Sequence, residues 1–565
     1  MSDSVLSGSV TSDSVLSGSV TSDSVLSDSV MSAPTAEPSE QTPPAPSAPT
    51  PGAVRSARYS PKRVGSRPAA AWLLGAAAVA ALLAGVVLRF VAHTHLWLDE
   101  AQSVAIARRP LSGLFAALRQ DGSPPLYYLL LHYWMGWFGT GDNIAVRALS
   151  GVISVATLPP FYLLARRTIG RRAAVAAVLL LASSPFALRY ATETRMYALV
   201  GLLTTLAGLA LTRVLDDDRR TAWSVLALTT SCGLLLLTHY WGLYGVAALG
   251  LWQLTAALRR RQRRHWFALG AAAASGLFLV PWLPSFRYQL QHTGTPWGGG
   301  ASLADFINTI FGWAGRGDAA GRVLTLAVLA LLLLGVCGRA GADRQIVLDL
   351  RGQRPGRGLA GLFLGILALP IAAGILANQA FSLRYTMVAF VPFLLVLAVG
   401  IQCFAAPARR HGVLALVVVL GLLNGLAQTH DSRTQAGRFA KLLAAQAEPG
   451  DVVAFCPDQL GPAVHRLLPG FGDQVVFPIM GSAERVDWVD YGQRNQSASV
   501  PTFADELNRR AAGHQVWLIW AAGYKTATPQ CRTLQASLTE LRPRHQVVLD
   551  PNNSFERAQL VDFQP

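Results

Sequence analysis

The first long apolar run and the acidic loop behind it decide how this chain is built. Residues 69–100 read AAAWLLGAAAVAALLAGVVLRFVAHTHLWLDE, and the part from 69 to 91 is long and apolar enough to cross a bilayer as one helix. A short polar loop follows and ends in the pair Asp99-Glu100. Placing two carboxylates so close to the hydrocarbon of the bilayer is unfavourable in free energy, and such residues usually have a function. The stretch therefore predicts a membrane-spanning helix that leads into an acidic loop, and the acidic pair is a candidate for a functional site.

Apolar runs of similar length recur along most of the chain. The sequence is 52% hydrophobic and only 14% charged, whereas soluble domains average about 25% charged residues. We therefore predict a mainly helical, polytopic transmembrane bundle with about eleven spans. The predicted spans lie near residues 69–91, 147–165, 172–188, 196–214, 222–238, 241–258, 266–283, 321–338, 358–377, 384–403 and 411–428.

The distribution of arginine predicts which loops face the cytoplasm. The net charge of +16 does not indicate nucleic-acid binding, because the arginines lie in short clusters between apolar runs. Such clusters mark cytoplasmic loops. All of them fall inside only if the aromatic segment 125–138 is an interfacial or re-entrant helix rather than a span. The topology then has the N-terminus inside and the C-terminus outside, in a multi-pass protein of the cell membrane.

Composition divides the chain into three parts. Residues 1–68 contain three ten-residue repeats and a stretch rich in Pro, Ala, Ser and Thr, a composition typical of a disordered tail. Residues 69–429 form the transmembrane domain, and residues 430–565 alternate β-like and helical stretches, as a small extracytoplasmic α/β domain would. The predicted strands are 451–455, 475–479, 516–520 and 546–549, and the predicted helices are 434–446, 503–513 and 531–542.

Two of the five cysteines lie in the predicted outer domain. Cys456 and Cys531 can pair if that domain is extracytoplasmic, but their separation in space cannot be read from sequence, so a disulfide and two free thiols both stay open. The other three lie in apolar runs and are expected to be packing residues: Cys232, Cys337 and Cys403.

Five short polar groups fall on the outer side of the predicted topology. They are Asp99-Glu100, the stretch 121–128 (DGSPPLYY), the stretch 189–197 (RYATETRMY), the stretch 238–241 (THYW) and Arg384-Tyr385. Taken alone, each has a structural explanation. Asp99 suits the N-cap of a helix over 100–109. Arg189, Glu193 and Arg195 suit either an ion-pair network or a bound phosphate. Together, the groups favour a site at the extracytoplasmic surface of the membrane.

A transporter or flippase is the alternative function. Such proteins are expected to place polar residues near the bilayer centre, and the predicted spans hold almost no charges there. The pattern therefore favours an enzyme that works at the surface of the membrane.

The order of the polar motifs resembles that of a known superfamily. The sequence is similar to the GT-C glycosyltransferases that use polyprenyl-phosphate sugars, and within them to the family 39 group of protein mannosyltransferase-like and aminoarabinose transferase-like enzymes. The likeness runs from about residue 69 to residue 430. It rests on LDE at 98–100, SPPLYYLLLHYW at 123–134, FGTGDNIAVRALS at 138–150, RYATETRMY at 189–197, THYWGLY at 238–244 and LRYTMVAFVPFLL at 383–395.

The resemblance implies roles for the polar residues. It makes Asp99 the catalytic base in an inverting transfer, with Glu100 beside it in the same motif. It also implies that arginines and a histidine stabilise the phosphate of the lipid donor. The expected donor- and phosphate-binding residues are Arg189, Glu193, Arg195, Tyr197, His239, Arg384 and Tyr385.

One position departs from the related enzymes. Relatives of the aminoarabinose type carry lysine just before the paired prolines, where this chain has Ser123. The phosphate contacts are therefore expected to shift to Arg195, His239 and Arg384.

The substrates are defined only by class. The expected donor is a polyprenyl-phosphate sugar, with mannose favoured, and the acceptor is a protein, a glycolipid or a cell-envelope polysaccharide. Membrane lipid is a further expected partner, and nucleic acid is not. No cofactor is indicated, and a divalent metal ion stays open. A non-catalytic GT-C relative is a third alternative, which the retention of Asp99 and the outer arginines disfavours.

Overall fold

The structure is a computed structural model, which describes residues 68–216, 221–294, 298, 300–315, 317–341, 345–350, 355–377 and 381–565. The proposed disordered tail, residues 1–68, therefore lies outside the described residues except for its last position.

Helices make up most of the chain up to residue 430, so the predicted mainly helical class is confirmed. The α-helices of this part are α1 (Pro68–Leu88), α2 (Leu98–Ala107), α3 (Leu111–Asp121), α4 (Leu126–Phe138), α5 (Asn143–Ile169), α6 (Arg171–Ser183), α7 (Pro185–Ala191), α8 (Tyr197–Asp216), α9 (Thr221–Leu236), α10 (Gly242–Arg260), α11 (Arg263–Ala274), α12 (Leu283–His292), α13 (Ala304–Ala314), α14 (Ala319–Cys337), α15 (Pro355–Leu376), α16 (Met387–Gln402) and α17 (Pro407–His430). Two 3₁₀ helices, Ser275–Trp282 and Leu383–Thr386, precede α12 and α16. An antiparallel ribbon of β1 (Gly338–Ala340) and β2 (Ile346–Leu348) follows α14.

Seven helical segments among the described residues are long and apolar enough to cross a membrane. An eighth qualifies if α6 and α7, which are bent by 54° at their junction, form one span. The seven segments are 143–169, 197–216, 263–292, 319–337, 355–376, 383–402 and 407–430. The other three predicted spans coincide with α1, α9 and α10, which do not meet the same criterion. The count of eleven spans therefore stays a prediction.

α16 is the central helix of the bundle. In its most apolar stretch 83% of the residues are buried, and it packs against α6, α8, α14 and α15. Its contact with α14 needs glycine, because a Cβ atom at Gly400 would lie 2.1 Å from the carbonyl oxygen of Leu331. The 3₁₀ turn that precedes α16 lies at the opposite end of this helix from Gly400, and it carries Arg384 and Tyr385.

A buried arginine joins three helices where the loop between α1 and α2 begins. The Arg89 Nε atom donates to Ser154 Oγ of α5 at 2.9 Å, and its Nη1 atom donates to the carbonyl oxygen of Ala182 in α6 at 2.9 Å. A guanidinium group inside an apolar bundle must have its donors satisfied. These bonds fix the end of α1, and with it the start of the loop that leads to Asp99.

The C-terminal part is built around a mixed sheet. Its helices are α18 (Ala436–Gln446), α19 (Gly461–Leu467), α20 (Tyr491–Ser497), α21 (Val500–Ala511) and α22 (Thr528–Leu541), and a 3₁₀ turn covers Asp458–Leu460. Its strands are β3 (Val452–Cys456), β4 (Asp473–Val476), β5 (Gly481–Ser482), β6 (Val516–Trp520), β7 (His545–Leu549) and β8 (Gln559–Phe563). The order is β5-β4-β3-β6-β8-β7, with β3 parallel to β4 and β6 and the other pairs antiparallel.

The four predicted strands of this part overlap β3, β4, β6 and β7, although the predicted strand 475–479 shares only its first two residues with β4. The prediction lacks β5, at one edge of the sheet, and β8, which lies between β6 and β7. A disulfide joins Cys456 at the end of β3 to Cys531 in α22, with 5.4 Å between their Cα atoms. The sequence leaves open whether these two cysteines form a disulfide or remain free thiols, and in the structure they form the disulfide. A domain boundary at residue 430 stays a prediction.

Candidate active site

The acidic pair lies in the first turn of α2. The N-cap of this helix is Trp97, which makes no side-chain capping bond, and α2 begins at Leu98. Asp99 is therefore inside the helix, and the alternative that it caps a helix over 100–109 is wrong. The helix begins two residues earlier than that alternative requires. Consecutive residues of a helix point about 100° apart around its axis, so the two neighbouring carboxylates face different surroundings.

Glu100 is held in a closed, buried ion pair. Both of its oxygens accept from Arg147, at 2.7 Å from Nε and 2.6 Å from Nη2, and one also accepts the N–H of Thr194 at 2.9 Å. The residue is 0% exposed. Burial is the largest single influence and opposes its ionisation, but the charge and hydrogen bonds of Arg147, the charge of Arg433 and the N–H of Thr194 together lower the pKa of Glu100. Glu100 is therefore a fixed carboxylate with its acceptors occupied.

Arg147 also holds the loop that precedes α2. Its Nη1 atom donates to the carbonyl oxygens of Ala92 at 3.1 Å and Thr94 at 2.6 Å, and Nη2 donates to that of His95 at 3.3 Å. One guanidinium group thus connects the loop, Glu100 and the start of α5. The ion pair between Arg147 and Glu100 therefore fixes the backbone of the first turn of α2, which includes Asp99.

Asp99 has a different surrounding. Its side chain is 14% exposed, and its Oδ2 atom pairs with Nη1 of Arg384, with Nε of Arg195 3.9 Å away. The two arginines come from separate elements, one from the turn before α16 and the other from the segment between α7 and α8. The fold therefore brings a reachable carboxylate and two cations together from distant parts of the sequence.

Arg195 connects Asp99 to the second polar group. Its Nη1 atom donates to Ser103 Oγ at 3.1 Å and to the hydroxyl of Tyr128 at 3.0 Å. That hydroxyl in turn donates to Asp121 Oδ2 at 3.2 Å. The orientation of Arg195 is set by α2 and α4, so the stretch 121–128 supports the site rather than only starting a helix.

His239 is placed beside the arginines as a neutral ring. Its centroid lies 4.8 Å from that of Tyr385 and 5.9 Å from that of Tyr197. Burial, together with the charges of Arg195 and Arg384, lowers the pKa of His239 to about 3. The Nδ1 atom accepts the N–H of Trp241 at 3.1 Å, which leaves the proton on Nε2. The ring can therefore donate a hydrogen bond but carries no positive charge near neutral pH.

Glu193 and Arg189 lie at the edge of the Glu100 ion pair. Arg433, which follows α17, places its Nη1 atom 3.2 Å from Glu193 Oε2 and 4.0 Å from Glu100 Oε2. The carbonyl oxygen of Arg189 accepts from Arg433 at 3.5 Å. The predicted residues thus all fall in one region, but Glu193 faces Arg433 rather than Asp99.

Several residues of the site are not predicted from the sequence. Arg147 lies within a quoted motif yet has no assigned role there, and Tyr128 is only part of an aromatic helix. Arg433 follows the last predicted span, on the side where the sequence also predicts the other arginines of the site, which is a weak signal that it belongs with them.

Among the residues that the structure describes, no group of three His, Cys, Asp or Glu side chains is arranged to hold a metal ion, so the divalent ion stays an expectation.

Comparisons with known proteins agree on one kind of fold. Residues 122–284 match the family model described as dolichyl-phosphate-mannose-protein mannosyltransferase. No curated protein matches the chain significantly. The crystal structure of ArnT from Cupriavidus metallidurans in the apo state is similar, with a TM-score of 0.57 at 16% identity over 87% of this chain and 98% of ArnT. ArnT bound to undecaprenyl phosphate has a TM-score of 0.54 at 16% identity, over 88% of this chain and 98% of ArnT. At such identity the likeness to ArnT shows the fold alone.

Proposed function

We propose that this chain is a glycosyltransferase of the GT-C superfamily and that it transfers a sugar from a polyprenyl-phosphate donor to an acceptor hydroxyl outside the cytoplasm. Asp99 is the general base, and Arg195, Arg384 and His239 bind the phosphate. The sugar is mannose, and the acceptor is a protein, a glycolipid or a cell-envelope polysaccharide.

The contact between Asp99 and Arg384 carries this proposal. A base for the acceptor hydroxyl must lie next to the cations that stabilise the departing phosphate. Asp99 is partly exposed, and it has two guanidinium groups beside it. Glu100, whose acceptors are taken by Arg147 and Thr194, is not available to an acceptor hydroxyl.

The chemistry is a direct displacement at the anomeric carbon. The acceptor oxygen forms the new bond to that carbon while the bond to the phosphate oxygen breaks, and the hydroxyl proton moves to Asp99. The leaving phosphate keeps the bonding electron pair, and its growing charge is met by the two arginines and by the Nε2–H of His239. Attack from the face opposite the phosphate inverts the anomeric configuration.

The ion pair of Asp99 has a further consequence for the order of events. In the structure, the Asp99 carboxylate pairs with the guanidinium group of Arg384. A bound lipid phosphate competes for the same guanidinium groups, since arginine matches phosphate oxygens well. Donor binding would therefore release Asp99 to accept the proton.

The comparisons support a lipid-phosphate donor. One ArnT structure is bound to undecaprenyl phosphate, and the family description names a dolichyl-phosphate mannose donor.

Two features of the chain itself support an extracytoplasmic site. The disulfide Cys456–Cys531 suits an oxidising compartment, and the arginine clusters suit cytoplasmic loops. Both features favour an active site on the outer face of the cell membrane.

Transfer from defined donors tests the proposed function. Membranes that contain the protein are incubated with radiolabelled polyprenyl-phosphate mannose and with the corresponding glucose and aminoarabinose donors. We expect mannose to move to an endogenous acceptor, which is then identified by its solubility and protease sensitivity. If another sugar moves, mannose is wrong while the enzyme class stands. If none moves in correctly inserted protein, the proposed function fails.

Cysteine labelling tests the proposed side of the membrane. Cys232, Cys337 and Cys403 are replaced by serine, and single cysteines are introduced at two exposed positions, His93→Cys in the first outer loop and Arg261→Cys between α10 and α11. An impermeant reagent should label position 93 in intact cells and position 261 only after permeabilisation. The reverse pattern would overturn the topology and with it the extracytoplasmic site.

A further inference from the structure

The loop between β7 and β8 contacts the start of α2. The backbone N–H of Leu98 donates to Glu556 Oε1 at 2.8 Å, and Glu556 is 3% exposed. First-turn N–H groups of a helix have no partner within the helix, and the N-cap residue Trp97 supplies no side-chain acceptor. A carboxyl group more than four hundred residues away in sequence therefore caps this helix.

The loop that carries Glu556 is itself fixed. Gln435, which is 1% exposed, accepts the N–H of Asn552 at 3.2 Å and that of Ala558 at 2.9 Å on its Oε1 atom. Its Nε2 atom donates to the carbonyl oxygen of Asp550 at 2.9 Å. One buried side chain thus ties both ends of the loop 550–558 to the chain that follows α17.

Neighbouring contacts extend the attachment to both sides of Glu556. Its N–H donates to the carbonyl oxygen of Arg433 at 2.8 Å, and the guanidinium group of Arg433 pairs with Glu193 at 3.2 Å. On the other side, the rings of Phe555 and Trp97 lie 5.3 Å apart in an edge-to-face contact. The C-terminal part therefore meets the active-site region through a hydrogen bond, an ion pair and an aromatic contact.

We propose that Glu556 is a positioning residue for Asp99, so that the C-terminal part completes the active site formed by the helical bundle. This inference rests on the proposed function, because it assigns Asp99 the role of base. Asp99 follows Leu98 directly, so the bond from Leu98 to Glu556 sets where the first turn of α2 begins. A displacement of about 1 Å in a catalytic group can cost roughly a hundredfold in rate.

The protonation state of Glu556 suits this role. Burial raises the pKa of Glu556 to about 8, so the carboxyl group is mostly neutral at pH 7. A neutral group accepts the N–H of Leu98 without adding a third negative charge beside Asp99 and Glu100. Glutamine has a similar shape and the same acceptor oxygen, and it should replace glutamate well.

Three variants separate positioning from a general loss of structure. In the transfer assay, Glu556→Ala should lower kcat by about 10- to 100-fold and change the KM for the lipid donor little, because the phosphate contacts remain. Glu556→Gln should keep kcat within a few-fold of the unaltered protein. The matched control is Glu540→Ala, which alters an exposed glutamate of α22 in the same part of the chain.

Hydrogen exchange gives a readout that does not need the reaction. In the full-length protein, peptides that include Leu98 should exchange faster in Glu556→Ala and at the original rate in Glu556→Gln and Glu540→Ala. If the unaltered protein transfers no sugar but this exchange pattern holds, the proposed function fails while the contact stands. If exchange changes but kcat does not, Glu556 is a structural cap and the positioning role is overturned.

The conservative variant covers the case in which Glu556→Ala does not accumulate in the membrane. Glu556→Asp keeps the carboxyl group but shortens the side chain by one methylene, so the acceptor no longer reaches Leu98. It should lose several-fold in kcat and exchange faster near Leu98. An aspartate variant with unaltered exchange and kcat would overturn the proposal.

Discussion

Two clusters at the start of α2 contain the same kinds of residue but differ in how they are paired. The Glu100 cluster consists of Glu100, Glu193, Arg147 and Arg433, with two carboxylates matched by two guanidinium groups, and all four side chains are buried. The Asp99 cluster consists of Asp99, Arg195, Arg384 and His239, with one carboxylate facing two arginines and a neutral ring.

The difference in pairing between the two clusters indicates which of the two adjacent carboxylates, Asp99 or Glu100, is suited to catalysis. A balanced, buried set of charges is stable only while every partner remains, so the Glu100 cluster suits a structural role. An unbalanced, partly exposed set has cationic capacity for an anionic ligand, so the Asp99 cluster suits a phosphate. Sequence adjacency of Asp99 and Glu100 hides this difference, because it arises from partners on α5, in the segment between α7 and α8, and in the 3₁₀ turn before α16.

Among the substitutions that test the difference between the two clusters, that of Asp99 should have the largest effect on the rate of transfer. Asp99→Asn keeps the size of the side chain but cannot take up the proton, so transfer should fall by about 10²- to 10⁴-fold, while donor binding persists. The control is Asp142→Asn, because Asp142 caps α5 with its side chain and asparagine caps equally well. Initial rates with saturating donor measure the effect. Normal transfer by Asp99→Asn would remove Asp99 as the base.

Substitution of Glu100 should act mainly on stability. Glu100→Ala leaves Arg147 buried without its carboxylate partner, which should cost about 3–5 kcal/mol, and Glu100→Gln should cost less because it keeps hydrogen bonds to Arg147. Thermal unfolding of the detergent-solubilised protein measures the loss. Glu506→Ala, which breaks an exposed pair with Arg509 in α21, should cost only about 0–1 kcal/mol. A stable Glu100→Ala protein with no transfer would instead make Glu100 catalytic.

Substitution of Arg384 should act mainly on the donor. Arg384→Ala removes a charge-assisted contact to phosphate, so the KM for the donor should rise by about 10- to 100-fold, and Arg384→Lys should restore only part of the affinity because the planar fork is lost. Arg322→Ala is the matched control, since this exposed arginine lies at the start of α14 and bonds only to the carbonyl oxygen of Gly317 among the contacts described. Equal effects of both alanine variants would mean that Arg384 only anchors its helix.

Substitution of His239 should have the smallest effect. A pKa of about 3 keeps the ring neutral between pH 5 and pH 8, so the pH profile of kcat/KM should show no ionisation of this group near 6.5. His239→Gln keeps a hydrogen-bond donor, should lose less than about tenfold in rate, and should give a profile of the same shape. A limb near pH 6.5 that disappears in the variant would show that His239 acts as a cation.

The stability of the protein should also depend on this histidine. Its folded pKa lies below its unfolded value of about 6.5, so the stabilisation is complete above pH 6.5 and is lost as the pH falls from 6.5 toward 3. Thermal unfolding at pH 7 and pH 5 should therefore show a smaller acid-induced loss in His239→Gln than in the unaltered protein.

The sequence predicts the elements of the site better than their pairing. The apolar runs locate the helices, and four β-like runs locate four strands, because both signals are local. β8 was not predicted, since five residues near the C-terminus carry too little pattern to distinguish a strand from an extended tail. Asp99 as the base and the seven donor-binding residues stay predictions, although the structure brings all of them to one end of the bundle.

What the sequence by itself determined is the class of molecule: a helical membrane protein, with polar motifs whose order resembles that of the GT-C superfamily. The length of each apolar span, the clustering of arginine in loops and the polar motifs can each be recognised within short stretches of the chain. Only the tertiary structure decided that Glu100 is closed off by Arg147, that Asp99 faces Arg384, and that Glu556 reaches Leu98. Those contacts join residues 47, 285 and 458 positions apart, and such partners are chosen by the packing of the whole chain rather than by any local pattern.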